Sequence, residues 1–210
     1  MNKIIILGDS LALPRPIRFR DYNPDESLEL EIEFEDTYGY LLQMRYKESA
    51  YVINRAVRSS TIKLIYERDK LDHIFLLKPN VIILHIGIVD LWPRETLEFR
   101  SYLNIEEFAY YYRMVFESIE KLTDVKVICI GISPTSTKMD EKFIDLLSKI
   151  NDYNEVIKSM CLKKGHDYLD MTKFINQDNL YEYILSDDHH LNKSGNMLVY
   201  NEIVKFIENK

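Results

Sequence analysis

Short apolar runs recur along the chain at 3–7, 50–54, 80–87, 125–131 and 167–170, with helical patterns between them. Val81-Ile82-Ile83-Leu84 and Val125-Lys126-Val127-Ile128-Cys129-Ile130 are the clearest. Runs that stay apolar at consecutive positions fit strands covered on both faces, as in a parallel sheet. The segments near 37–48, 60–77, 104–122, 140–164 and 192–208 carry apolar residues at helical spacing; Met197, Leu198, Ile203, Val204 and Ile207 mark the last. Alternating β and α segments predict an α/β fold: a three-layer, flavodoxin-like sandwich around a central parallel sheet of about five strands. With 210 residues and no interdomain linker, repeat or low-complexity tract, the chain is expected to form one domain over 1–210.

One segment departs from the alternation. Residues 27–35 read Ser-Leu-Glu-Leu-Glu-Ile-Glu-Phe-Glu, a strict period of two. Upstream, Ile17 and Phe19 alternate with Arg18 and Arg20, and Asn23-Pro24-Asp25-Glu26 has turn chemistry. These features predict an antiparallel hairpin inserted after strand one, over 15–22 and 27–35. Arg18 would face Glu31, Arg20 would face Glu29, and Ile17 would face Ile32. Its apolar face is expected to pack on the body or, through 15–36, on a second subunit.

The net charge of −7 argues against a general nucleic-acid binder. No 18-residue apolar run is present, so no membrane span is predicted. The stretch Ile4–Leu7 is too short for the core of a signal peptide, and a cytoplasmic location is expected. Cys129 and Cys161 lack metal-ligand spacing and read as buried free thiols. No metal or cofactor is expected.

Directly after the first apolar run stands Gly8-Asp9-Ser10-Leu11. A serine at the C-terminal tip of a parallel strand lies in the crevice where open α/β sheets bind ligands, so Ser10 is a candidate nucleophile. Near the other end the chain reads Asp187-Asp188-His189-His190, just before the last helix. An Asp three residues before a His can hold one imidazole nitrogen while the other faces a serine. That spacing selects Asp187 and His190 over Asp188 and His189.

With both blocks in place, at opposite ends of an α/β pattern, the chain resembles the SGNH, or GDSL, hydrolase family. The resemblance spans most of the chain. It implies a serine nucleophile at Ser10, an acid at Asp187 and a base at His190, with the backbone of Ser10 serving the oxyanion. The middle blocks depart from the family pattern. In Asn54-Arg55-Ala56-Val57-Arg58-Ser59, Ser59 takes the place of a glycine whose N–H helps bind the oxyanion. In Gly87-Ile88-Val89-Asp90, Val89 replaces an asparagine that is the family's second oxyanion donor. Loss of one such donor costs about 2.7–4 kcal/mol in the transition state. Gly-Ile-Val-Asp followed by Pro93-Arg94 is similar to a branch of the family associated with modification of surface glycans.

Position alone groups four arginines. Arg15, Arg55, Arg58 and Arg94 all follow C-terminal strand ends, on the edge that carries Ser10. Guanidinium groups bind carboxylate and phosphate through paired hydrogen bonds. Arg94, Arg58 and Arg15, with Asp9 and Asp90, are therefore the candidates for substrate contact, and the substrate is expected to be anionic. Local ion pairs to Asp9, Asp90 or Asp187 are the alternative. Trp92 either lines the pocket or packs, and His85 reads as a core histidine.

The expected activity is that of a serine esterase, removing an O-acetyl or other small acyl group from a carbohydrate or small anionic ester. Acyl transfer to a glycan hydroxyl and non-catalytic binding of a glycan or partner are the competing readings.

Overall fold

The computed structural model describes residues 1–16, 30–68, 70–92 and 102–208. Its strands are β1 (Asn2–Gly8), β2 (Arg15–Pro16), β3 (Leu30–Ile32), β4 (Ala50–Asn54), β5 (Val81–His85), β6 (Lys126–Ile130) and β7 (Asp167–Leu169). Its helices are α1 (Tyr38–Tyr46), α2 (Ile62–Glu67), α3 (Lys70–Leu77), α4 (Ile105–Ile119), α5 (Thr137–Lys142), α6 (Leu146–Lys163), α7 (Leu180–Tyr183) and α8 (Lys193–Glu208).

Five strands form one parallel sheet in the order β4-β1-β5-β6-β7. Side chains alternate across it, so each strand feeds two cores. Ile5, Leu7, Ile82, Leu84, Val127 and Cys129 face a layer that includes residues of α2, α4 and α6. Ile4, Ile6, Ile83, Ile128 and Ile130 face the layer that includes residues of α1 and α8. Burial on both sides is why these runs are apolar throughout. From β1 the chain first moves to β4, then returns past β1 to β5. The strand order thus reverses between β1 and β5, and a crevice opens beyond their carboxyl ends. No helix among the described residues is long and apolar enough to cross a membrane.

Two helical patterns are broken where a single helix was expected. The segment 60–77 divides into α2 and α3. The segment 140–164 divides into α5 and α6, separated where Asp145 adopts a left-handed backbone with φ 63°. Such a residue cannot continue a right-handed helix. Thr61 and Ser136 cap α2 and α5 by accepting backbone N–H groups.

The insertion after β1 is an antiparallel pair, but its register differs from the expected one. Arg15 faces Ile32 and Pro16 faces Leu30, with an irregularity between them. Ile32 was expected opposite Ile17, so the observed pairing is offset by two residues. Pro16 has no N–H to give the ladder, and pairing shifts there rather than running evenly. The alternation also ends early: Phe34–Asp36 forms a 3-10 turn leading into α1, and Phe34 is 53% exposed instead of packed. The expected partners Arg18 and Arg20 lie outside the described residues, as does Glu29.

Candidate active site

Gly8 ends β1 opposite His85. A Cβ at Gly8 would stand 2.5 Å from the His85 carbonyl oxygen, so only glycine allows this close approach. The next residue turns the chain: the Asp9 carboxylate accepts the Leu11 N–H at 2.9 Å and caps the 3-10 turn Ser10–Ala12. Ser10 is thereby lifted to the mouth of the crevice.

The other half of the site is a tight loop. Ile184 bridges Leu191, and the Leu185 N–H donates to the His190 carbonyl at 2.7 Å. Asp188, with φ 72°, reverses the chain inside this loop, and its carboxylate accepts the Tyr181 hydroxyl at 2.6 Å. Asp188 is thus held apart while Asp187 turns inward. Asp187 Oδ2 lies 2.7 Å from His190 Nδ1, and His190 Nε2 lies 2.9 Å from Ser10 Oγ. An ionised carboxylate only accepts, so Nδ1 carries the ring hydrogen and Nε2 accepts from the serine hydroxyl. The His190 and His189 backbone N–H groups bind Asp187 Oδ1 at 3.0 and 3.3 Å. The structure thus brings Asp187 and His190 together with Ser10.

Opposing forces set the charges. Burial would raise the Asp187 pKa, but the His190 hydrogen bond and the two neighbouring imidazoles hold it well below the usual carboxylate range. Burial pushes the His190 imidazole below its ordinary value, and Arg15 and Arg58 push the same way against the pull of Asp187. The base is therefore neutral, and able to accept, at physiological pH.

His189, set aside by spacing, has a structural part. Its Nδ1–H donates to the Asp187 carbonyl at 2.8 Å, and its ring meets Trp92 edge-on at 4.6 Å. Trp92 is buried and stacks on Phe143 at 5.8 Å, so it packs behind the loop. A tryptophan after strand β5 was the signal that could have found this partnership. Asp187, His189 and His190 bring metal-ligand atoms within 4.8 Å of one another. Both carboxylate oxygens and both Nδ1 atoms already hold hydrogen bonds, however.

The remaining candidates separate. Ser59 has φ 57°, the left-handed conformation that a glycine adopts without strain. Val89 is buried in the core, inside a turn closed by the Asp90 N–H on the Gly87 carbonyl at 3.1 Å. Asp9 and Asp90, grouped with the substrate contacts, are both 0% exposed. Asp90 accepts the Ile62 N–H at 3.0 and 3.3 Å and holds the start of α2. Burial raises its pKa, against the pull of that N–H. Arg15 binds Asp187 Oδ2 at 3.0 Å, and Arg58 donates to the Pro14 carbonyl at 2.7 Å. Arg94 lies outside the described residues.

This arrangement agrees with comparison to known proteins. The model of the GDSL-like lipase/acylhydrolase family matches residues 6–198. No curated protein matches the sequence. Among solved structures, the acetyl xylan esterase AlAXEase is 22% identical, with 98% of this chain and 99% of that chain covered and a TM-score of 0.74. Axe2, an acetylxylan esterase from Geobacillus stearothermophilus, is 17% identical, with 99% and 94% covered and a TM-score of 0.71. The esterase EstA from Pseudoalteromonas sp., solved in a form inhibited by monoethylphosphonate, is 14% identical, with 100% and 98% covered and a TM-score of 0.66. At these identities the likeness is one of fold. The family match is broader in meaning, because it runs from the strand that precedes Ser10 into the helix that follows His190: the chain belongs to the GDSL-like lipase/acylhydrolase family and hydrolyses ester bonds.

Proposed function

We propose that this hydrolase is a serine esterase that removes an O-acetyl or other small acyl group from a carbohydrate. The observation that carries the reading is the unbroken hydrogen-bonded chain from Asp187 through His190 to Ser10, with links of 2.7 and 2.9 Å. In the proposed reaction His190 Nε2 takes the Ser10 proton as Oγ attacks the acyl carbon. Backbone N–H groups of Ser10 and Ser59 hold the oxyanion. The tetrahedral adduct collapses, and the sugar oxygen leaves with the proton from His190. Water then gives a proton to His190, attacks the acyl carbon and frees the acid and Ser10.

The carbohydrate half of the proposal draws on the acetyl xylan esterases with the same fold. Its charge draws on Arg58, whose pKa burial and Arg15 both depress. An anionic sugar substituent would relieve that repulsion. Acetate release from acetylated neutral and acidic oligosaccharides, with S10A as control, tests the reading. Release that depends on Ser10 supports it; Ser10-independent release, or none from any acetylated sugar, refutes it.

A further inference from the structure

Asp187 binds more than a hydrolytic acid requires. Oδ2, the oxygen that takes the His190 Nδ1–H, also lies 3.0 Å from Nη2 of Arg15. Oδ1 is occupied by the two backbone N–H groups of the loop. Arg15 reaches this point from a separate part of the fold. It is the first residue of β2, at the base of the inserted pair, where it faces Ile32. Its side chain is only 20% exposed. Just before it, the Pro14 carbonyl accepts from Arg58 Nη2. One run of contacts thus leads from the loop after β4, through the base of the insertion, to the acid of the site.

We propose that Arg15 is a positioning residue for hydrolysis: it fixes the Asp187 carboxylate at the oxygen shared with His190, and so ties the β2–β3 insertion to the base. The proposal rests on the esterase reading of Ser10, His190 and Asp187. Two donors on Oδ2 and two on Oδ1 leave the carboxylate little freedom to turn away from the imidazole. The guanidinium also acts through its charge. Among the described residues, the charged and titratable groups facing His190 are Asp187, the His189 ring at 4.1 Å, and the guanidiniums of Arg15 and Arg58. Asp188 is held by Tyr181. Without Arg15, the Asp187 charge is less neutralised and one cation is removed from the vicinity of the imidazole. Both changes favour the imidazolium, so the base would lose its accepting form at a higher pH.

The test compares wild type, R15M and R15K by the pH dependence of kcat/KM on p-nitrophenyl acetate. That ester has no anionic group for a cation to hold. Histidine ring titration by NMR on the same proteins reports His190 without turnover. In R15M, kcat/KM should fall on the alkaline plateau, where the loosened carboxylate alone acts, and about threefold to tenfold further near pH 5.5, where imidazolium formation adds to it. The His190 resonance should titrate at higher pH, and R15K should restore both behaviours. R15Q replaces R15M if the methionine variant does not fold. An unmoved His190 titration, or an equal loss at every pH that R15K fails to rescue, overturns the proposal. Absence of Ser10-dependent turnover in wild type would instead sink the esterase reading, and the NMR titration would still decide the role of Arg15.

Discussion

His85 presents Nδ1 to the Tyr38 hydroxyl at 3.2 Å, between strand β5 and helix α1, one ladder position from the turn that carries Ser10. Both residues are buried. Burial pushes the His85 pKa down to about 3, while burial and the Asp9 charge raise that of Tyr38. The unfolded chain carries this imidazole near its ordinary value of about 6.5. Its folded pKa is depressed, so its neutral form stabilises the fold fully above about pH 6.5. That contribution is lost as the pH falls from there toward 3. By pH 5 the loss should be on the order of 2 kcal/mol. Urea unfolding at pH 7 and pH 5 measures it, and H85Q should show a flatter response than wild type. Equal pH dependence in the two proteins would rule out His85 as the source.

The hydrogen-bonded chain at the site predicts graded losses. S10A should abolish both turnover and labelling by a fluorophosphonate. D187N should keep the fold but favour the wrong imidazole tautomer, lowering kcat by roughly 10⁴-fold. A D187N protein within tenfold of wild type would mean that Asp187 does not direct His190.

Ser59 occupies a backbone region that costs an L-residue about 1–2 kcal/mol. S59G should remove that strain, at an entropic cost of roughly 0.5–1 kcal/mol, and leave both kcat and stability near or above wild type. S59V, β-branched and poorly suited to positive φ, should destabilise the loop and displace its N–H. If that N–H serves the oxyanion, kcat should fall about 100-fold or more. Unchanged kcat in a folded S59V protein would remove Ser59 from the oxyanion site.

Arg58 should discriminate by charge. A charge-assisted hydrogen bond contributes about 1.5–3 kcal/mol, so R58A should lose roughly tenfold to a hundredfold more activity on an acidic acetyl ester than on a neutral one. Parallel kcat/KM measurements on the two esters decide this. Equal losses would mean that Arg58 supports the Pro14 loop and does not contact substrate.

The parts of the fold legible in the sequence were those fixed by burial. Ile82, Ile83 and Leu84 are apolar in succession because both faces of β5 are covered, and the strand boundaries follow from that. The Asp-x-x-His spacing was legible because it spans a single turn of chain. What escaped was set by local backbone geometry or by distant partners. The break at Asp145 depends on one left-handed residue that could equally have sat in a longer helix. The register of β2 with β3 shifts at Pro16, which has no N–H to give the ladder. For Arg15 the sequence leaves substrate contact and a local ion pair both open, with Asp187 among the possible partners; the structure places it on Asp187.

The route of the chain through the sheet makes the site depend on the C-terminal segment. All five parallel strands are complete by Leu169, and Ser10 stands in the turn just after the first of them. The histidine hydrogen-bonded to this serine follows 180 positions later. The two halves of the site therefore meet only through the folded chain, one near each end of the sequence. The loop that carries His190 is held by the bridge between Ile184 and Leu191 and is followed by α8, where Asn196 accepts the Tyr38 N–H of α1. A chain in which this segment is undocked holds Ser10 apart from His190, so loss of the C-terminal contacts and loss of the site are one event.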